Sequence, residues 1–180
     1  MKNKEKNTID PLNIPNCNFS CLDGLYGEET VKAKKLLEKY QKQRIRRGFD
    51  DTECWNLDRT IAAFILPRIK VFRDSTIAYP GVEPFDTFEK WQEGIDKMIY
   101  AFDHIVNEEK YDDERSKKYG ITWNDYFSSK FLEDGSFEIV KTENYPEEAM
   151  KLYDEDKMKE YEQIQEGLDL LGKYFLDLYW

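Results

Sequence analysis

Cys54 to Asp74 reads CWNLDRTIAAFILPRIKVFRD. On a helical wheel of about 100° per residue, Val71, Phe64, Leu57, Ile61, Cys54, Phe72, Ile65, Ile69, Ala62, Trp55 and Leu66 fill roughly 220° of the circumference. A helix so widely apolar calls for neighbours on several sides, so the pattern predicts the spine of a helical core. Two charges interrupt the arc: Asp58 at its centre and Arg68 well inside one flank. An unpaired buried charge is costly, so each needs a partner or a water-filled pocket. Trp55, Asp58, Arg59 and Arg68 are therefore the candidate ligand-binding residues, with pairing inside the core as the structural alternative.

The whole chain bounds what surrounds this helix. Its 180 residues suit one domain, and 40% hydrophobic content with 15% aromatic residues is enough for a core. The 37 Asp and Glu outnumber the 27 Lys and Arg, for a net charge of −10. Such a balance repels phosphates and argues against non-specific nucleic-acid binding. It suits a basic protein partner, as it would in a mimic of nucleic acid. No apolar run reaches the ~20 residues of a membrane span, and the polar start MKNKEKNTIDP is not a signal peptide. The 3 cysteines are an odd number, which fits reduced thiols in a cytoplasm.

Residues 1–27 form an extended arm broken by Pro11, Pro15, Gly24 and Gly27. Residues 28–180 form the helical domain. A helix over 28–47 stops at Gly48, with Arg44, Arg46 and Arg47 complementing its dipole and making one positive patch. Asp50, Asp51 or Thr52 caps the spine, and Pro67 predicts a kink or break. Asp86 starts a helix whose stripe runs from Phe88 through Trp91, Ile95, Met98, Phe102 and Val106. Residues 108–146 are an excursion: EEKYDDERSKKYG reads as loop or frayed helix. Asp134-Gly135 then turns a β-hairpin between FSSKFLE and SFEIVKT, in competition with a short helix over Trp123–Phe131. Helix resumes at Pro146, interrupted near Asp154–Asp156. The resulting fold class is mainly α: a single-domain bundle around the central apolar helix.

WQEGIDKMIYAF (Trp91–Phe102) aligns without gaps on IQEGLDLLGKYF (Ile164–Phe175). Gly94 and Gly167 in mid-helix predict close helix packing. Each echo carries a Glu-x-x-Asp step, so Glu93, Asp96, Glu166 and Asp169 could converge on Mg²⁺ if the helices are antiparallel neighbours. These steps resemble part of the Mg²⁺ site of all-α nucleotide pyrophosphohydrolases. The chain departs from that family in lacking its Glu-x-x-Glu half, since Glu89 and Glu93 are four apart. A solvated acidic face is the competing reading. Cys17, Cys21, Cys54 and His104 make a zinc set only on paper, because Cys54 is distant and in an apolar setting. His104, the sole histidine, falls on the polar side of its helix and reads as a surface imidazole.

TECWNLDRTIAAFILPRIKVFRD, IDKMIYAF and QEGLDLLGKYFLDLYW together resemble a recurring group of small bacteriophage-encoded proteins without an assigned activity. The most specific words are Trp55, Leu57 and Asp58; Leu66, Pro67 and Arg68; and Gly167 to Leu170. The resemblance implies a phage origin and the cytoplasm of an infected bacterium, and no mechanism. The leading expectation is a non-enzymatic, cofactor-free protein that binds a host or defence protein or a nucleotide-like small ligand. A Mg²⁺-dependent nucleotide hydrolase is the first alternative. A particle or assembly component is the second, and an oligomer built through the aromatic end Phe175–Trp180 would favour it.

Overall fold

The computed structural model describes Phe19, residues 31–132 and residues 135–179. The expected arm, Phe19 apart, lies outside them. The chain is mainly helical with one small antiparallel hairpin, as its sequence predicts. It divides into two compact units, Met1–Thr76 and Ile77–Trp180.

In the first unit, α1 (Val31–Arg47) stops at Gly48, whose φ of +84° suits a residue without a Cβ and whose N–H donates to the Arg44 carbonyl at 2.8 Å. Asp50 does not cap the long apolar helix. It caps a 3-10 turn, Asp51–Cys54, in a full capping box with Glu53. Arg44 reaches across to this turn, donating to Glu53 at 2.5 Å with Asp50 at 3.7 Å. All three side chains are buried, so the end of α1 and the turn are joined by a desolvated ion cluster.

Helix α2 (Leu57–Ser75) follows, and one expectation fails there. Of the kink or break expected at Pro67, the break does not occur: the helix continues through it. Its wide apolar arc, however, is not enclosed: Ala62, Ile69 and Phe72 are buried, but Trp55, Leu57, Ile61, Phe64 and Val71 are exposed. The arc therefore holds one buried edge rather than a helix surrounded on several sides. The interrupting charges fit that outcome, since Asp58 and Arg68 are both exposed.

The second unit is built on α3 (Phe88–Val106), where Trp91, Ile95, Met98 and Ala101 have no exposed surface. Thr87, not Asp86, is its N-cap. Helix α6 (Glu147–Lys173) packs along it in the antiparallel sense: Trp91 meets Tyr174, whereas Lys97 and Ala101 meet Gly167. Both mid-helix glycines mark close approaches. A Cβ on Gly167 would lie 2.7 Å from the Ala101 Cβ and closer still to the Lys97 carbonyl. One on Gly94 would lie 2.6 Å from the Phe85 ring. The echoed helices thus pack on each other, but their glycines meet different neighbours, a backbone and a ring. Phe85, Trp91 and Tyr174 close one end of the core as mutually edge-on rings.

Between these helices the excursion is more regular than its composition suggests. EEKYDDERSKKY is a full helix, α4 (Glu108–Tyr119), ended by Gly120 at φ +65°. It has little apolar stripe because charge pairs attach it: buried Arg115 binds Asp112 at 2.6 Å and Glu160, and Lys118 binds Asp156 at 2.7 Å. That last bond helps explain why α6 is continuous through Asp154–Asp156, where the sequence predicts a break. One turn of helix, α5 (Trp123–Tyr126), leads into the hairpin β1 (Phe127–Phe131) and β2 (Phe137–Lys141), registered Phe127 opposite Lys141 and Phe131 opposite Phe137. Helix and hairpin, competitors in the sequence, share the segment. Ile121, Met150 and Tyr153 form a small second core beneath it. No helix among the described residues is long and apolar enough to cross a membrane.

Candidate functional site

The sequence-predicted site residues lie at the surface, Arg59 alone being half-buried. Trp55 is 67% exposed just before α2. Asp58 is exposed, and Arg59 is half-buried. Arg68 lies exposed with its guanidinium 3.6 Å from the centre of the Phe64 ring, and it donates to the Phe64 carbonyl at 2.5 Å. It has local partners on its own helix and is no internal anchor.

The four carboxylates of the Mg²⁺ reading sit on antiparallel neighbours, as that reading requires, yet they face solvent and carry other bonds. Lys97 binds Glu166 at 2.6 Å, and Gln165 donates to Asp169 at 2.7 Å. Glu93 and Asp96 are exposed. Among the described residues no three His, Cys, Asp or Glu come together as a metal-holding group. Of the zinc set, Cys17 and Cys21 lie outside the described residues, and Cys54 is an exposed free thiol.

His104 is the clearest departure. It is buried, with its ring 3.7 Å from that of Tyr100 on one side and 3.8 Å from that of Tyr111 on the other. Nδ1 stands 2.9 Å from the Tyr100 carbonyl, so that nitrogen carries the proton and donates. The polar side of α3 is covered because α4 folds back over it, and a single-helix wheel cannot register that. Tyr111 donates to Asp103 at 2.6 Å. The carboxylate holds the phenol's proton, and with burial this pushes the Tyr111 pKa up to about 12.

A concavity lies at the C-terminal end of α4. It is an open cleft of about 760 Å³ lined by Glu109, Asp112, Asp113, Ser116, Lys117, Trp123 and Asn124, among others. Asp112 is already engaged by Arg115, by the Tyr153 hydroxyl at 3.1 Å and by Lys157 at 3.7 Å. Burial pulls the Arg115 guanidinium toward neutrality, but its bonds to Glu160, Tyr153 and Asp112 outweigh that and raise its pKa. These bonds fix α4 on α6 and leave Asp113 facing the cleft, with Trp123 half-exposed as its aromatic wall. Trp123 is itself held by Phe127, ring centres 5.4 Å apart, and by Tyr153 at 5.7 Å. Carboxylate and aromatic face together are the chemistry that receives an ammonium or guanidinium group. None of the sequence-predicted site residues lines this cleft. Its signal in the sequence is Asp112-Asp113 followed ten residues later by Trp123, in a stretch whose first half reads as loop by composition.

Charge is also divided between the units. Met1–Thr76 holds 15 Lys and Arg against 11 Asp and Glu, a net of +4. Ile77–Trp180 holds 12 against 26, a net of −14. No family model, curated protein or solved structure matches the chain.

Proposed function

We propose that this protein acts by binding, and that its acidic second unit receives a basic segment of a protein partner in the cleft at the end of α4. The observation that carries the reading is the pairing of Asp113 and the other carboxylates with the held, half-exposed ring of Trp123. The resemblance to small phage-encoded proteins would make the partner a host or defence component in the infected cell's cytoplasm. The Mg²⁺-hydrolase alternative gains nothing from the arrangement of Glu93, Asp96, Glu166 and Asp169. The assembly alternative has one supporting observation, the exposed Phe175, Leu176 and Tyr179. Sedimentation of the full chain as a monomer at high concentration would end it.

The test is a calorimetric titration of the full chain with an Arg-rich and a Glu-rich peptide. The Arg-rich peptide should bind alone. Trp123→Ala should weaken it about two- to fivefold, the strength of one exposed cation–π contact. Attraction by net charge alone survives that substitution, so unchanged affinity in Trp123→Ala would sink the reading.

A further inference from the structure

Helix α1 carries eight Lys and Arg and one Glu in its 17 residues, VKAKKLLEKYQKQRIRR. Its inward face is set by buried Ala33, Tyr40 and Arg44. On the other side Lys32, Lys35, Lys39, Lys42 and Arg46 recur at alternating steps of three and four. At about 100° per residue they occupy an arc of roughly 80°, and at 1.5 Å per residue they extend over about 21 Å. All five are exposed. Lys39 shares Asp51 at 3.1 Å, but Lys32, Lys35, Lys42 and Arg46 have no ion-pair partner among the described residues. Like charges at these spacings weaken a helix, so a five-cation stripe is a cost that folding does not explain. Arg44 and Arg47 do not share in it, since Arg44 is buried against Glu53 and Arg47 is paired with Asp51.

We infer that this stripe binds the phosphate backbone of nucleic acid without reading its sequence. A straight row of cations about 21 Å long faces a duplex that presents one negative charge per ~1.7 Å of its axis, so several phosphates fall within its reach. A lipid surface is the poorer fit. The apolar face of α1 is turned inward, and its exposed apolar residues, Val31 and Ile45, sit at opposite ends of the helix. The net charge of −10, which by itself argues against nucleic acid, is an average over two units of opposite sign. At physiological salt, charges farther than about 8 Å are largely screened, so the field at the stripe is that of α1 and its nearest neighbours.

Fluorescence anisotropy of a labelled mixed-sequence DNA duplex titrated with the full chain tests this. With four phosphates contacted, affinity should fall about a hundredfold or more between roughly 50 and 200 mM salt. The triple variant Lys35→Gln/Lys42→Gln/Arg46→Gln keeps helix propensity, which circular dichroism verifies. It should bind at least tenfold more weakly at low salt, with the logarithmic salt slope reduced by about 2.7. Lys130→Gln/Lys159→Gln, on β1 and α6, should leave both quantities unchanged. Three results would overturn the inference: no duplex binding at low salt, equal binding by the triple variant, or stripe-dependent binding to phosphatidylglycerol vesicles with none to the duplex.

Discussion

Helices α2 and α3 are both nineteen residues long and both rich in large apolar side chains, yet they end up in opposite situations. Helix α2 has the wider apolar arc and leaves five large residues of its sequence neighbourhood exposed. Helix α3 has a narrower, sharper stripe, and its Trp91, Ile95 and Met98 are wholly buried. Hydrophobic width measures how much contact a helix could make. It does not say that a complementary surface exists. Helix α3 has one because α6 offers Gly167, which lets two backbones close on each other, and because Phe85 and Tyr174 fill the space around Trp91. The first unit is joined differently, by the buried charges of Arg44, Asp50 and Glu53.

The contrast can be tested most strongly by truncating one aromatic or aliphatic side chain on each helix. Trp91→Ala should cost about 3–5 kcal/mol in urea unfolding, because the tightly packed aromatic end cannot collapse into the space. Leu57→Ala, half-exposed at the start of α2, should cost no more than about 0.5 kcal/mol. Equal losses would mean that the α2 arc is enclosed after all. A comparable blow to the first unit should come from charge. Arg44→Ala leaves two buried carboxylates without their cation and should cost about 3 kcal/mol, read in the same unfolding experiment. Loss of less than about 1 kcal/mol would show that water, not the cluster, satisfies those acids.

The smallest effect is a pH dependence in the second unit. Tyr111 keeps its proton in the folded state until about pH 12, whereas an unfolded tyrosine loses it near pH 10. Its folded pKa is raised, so the stabilisation is complete below pH 10 and is lost as pH climbs from 10 toward 12. Phenolate absorbance should show a late-ionising tyrosine that disappears in Tyr111→Phe. If the titration curves of the two proteins differ by an ordinary tyrosine at pH 10, the bond to Asp103 does not persist in solution.

Much of this architecture is legible in the amino-acid sequence. Gly48, the hairpin's Gly135 at φ +82°, the stripe of Phe88 to Val106 and the two mid-helix glycines each carry a local reason for what they do. The departures share a cause. Helix α4 has the composition of a loop because it is held by Arg115, Glu160 and Asp156 rather than by an apolar stripe, and partners on another helix leave no periodic trace. His104 falls on a polar face for the same reason, because its cover comes from α4. The cleft is built from that same segment: its lining, Glu109 to Asn124, is local in the sequence, but a stretch that reads as loop does not show that it folds into a wall. The α1 stripe is different: its spacing is present in the sequence, but a wheel read for apolar residues passes over it, and a whole-chain charge conceals it.

The sole histidine, clasped between two tyrosine rings, has a further use. Its imidazole gives one unoverlapped set of ring resonances in a proton spectrum, displaced upfield by the currents of both neighbours. Tyr100 comes from α3 and Tyr111 from α4, so the displacement is large only while those two helices are docked. The molecule thus carries an unlabelled spectroscopic gauge of that junction, one that reads whether a ligand in the adjacent cleft tightens or loosens α4.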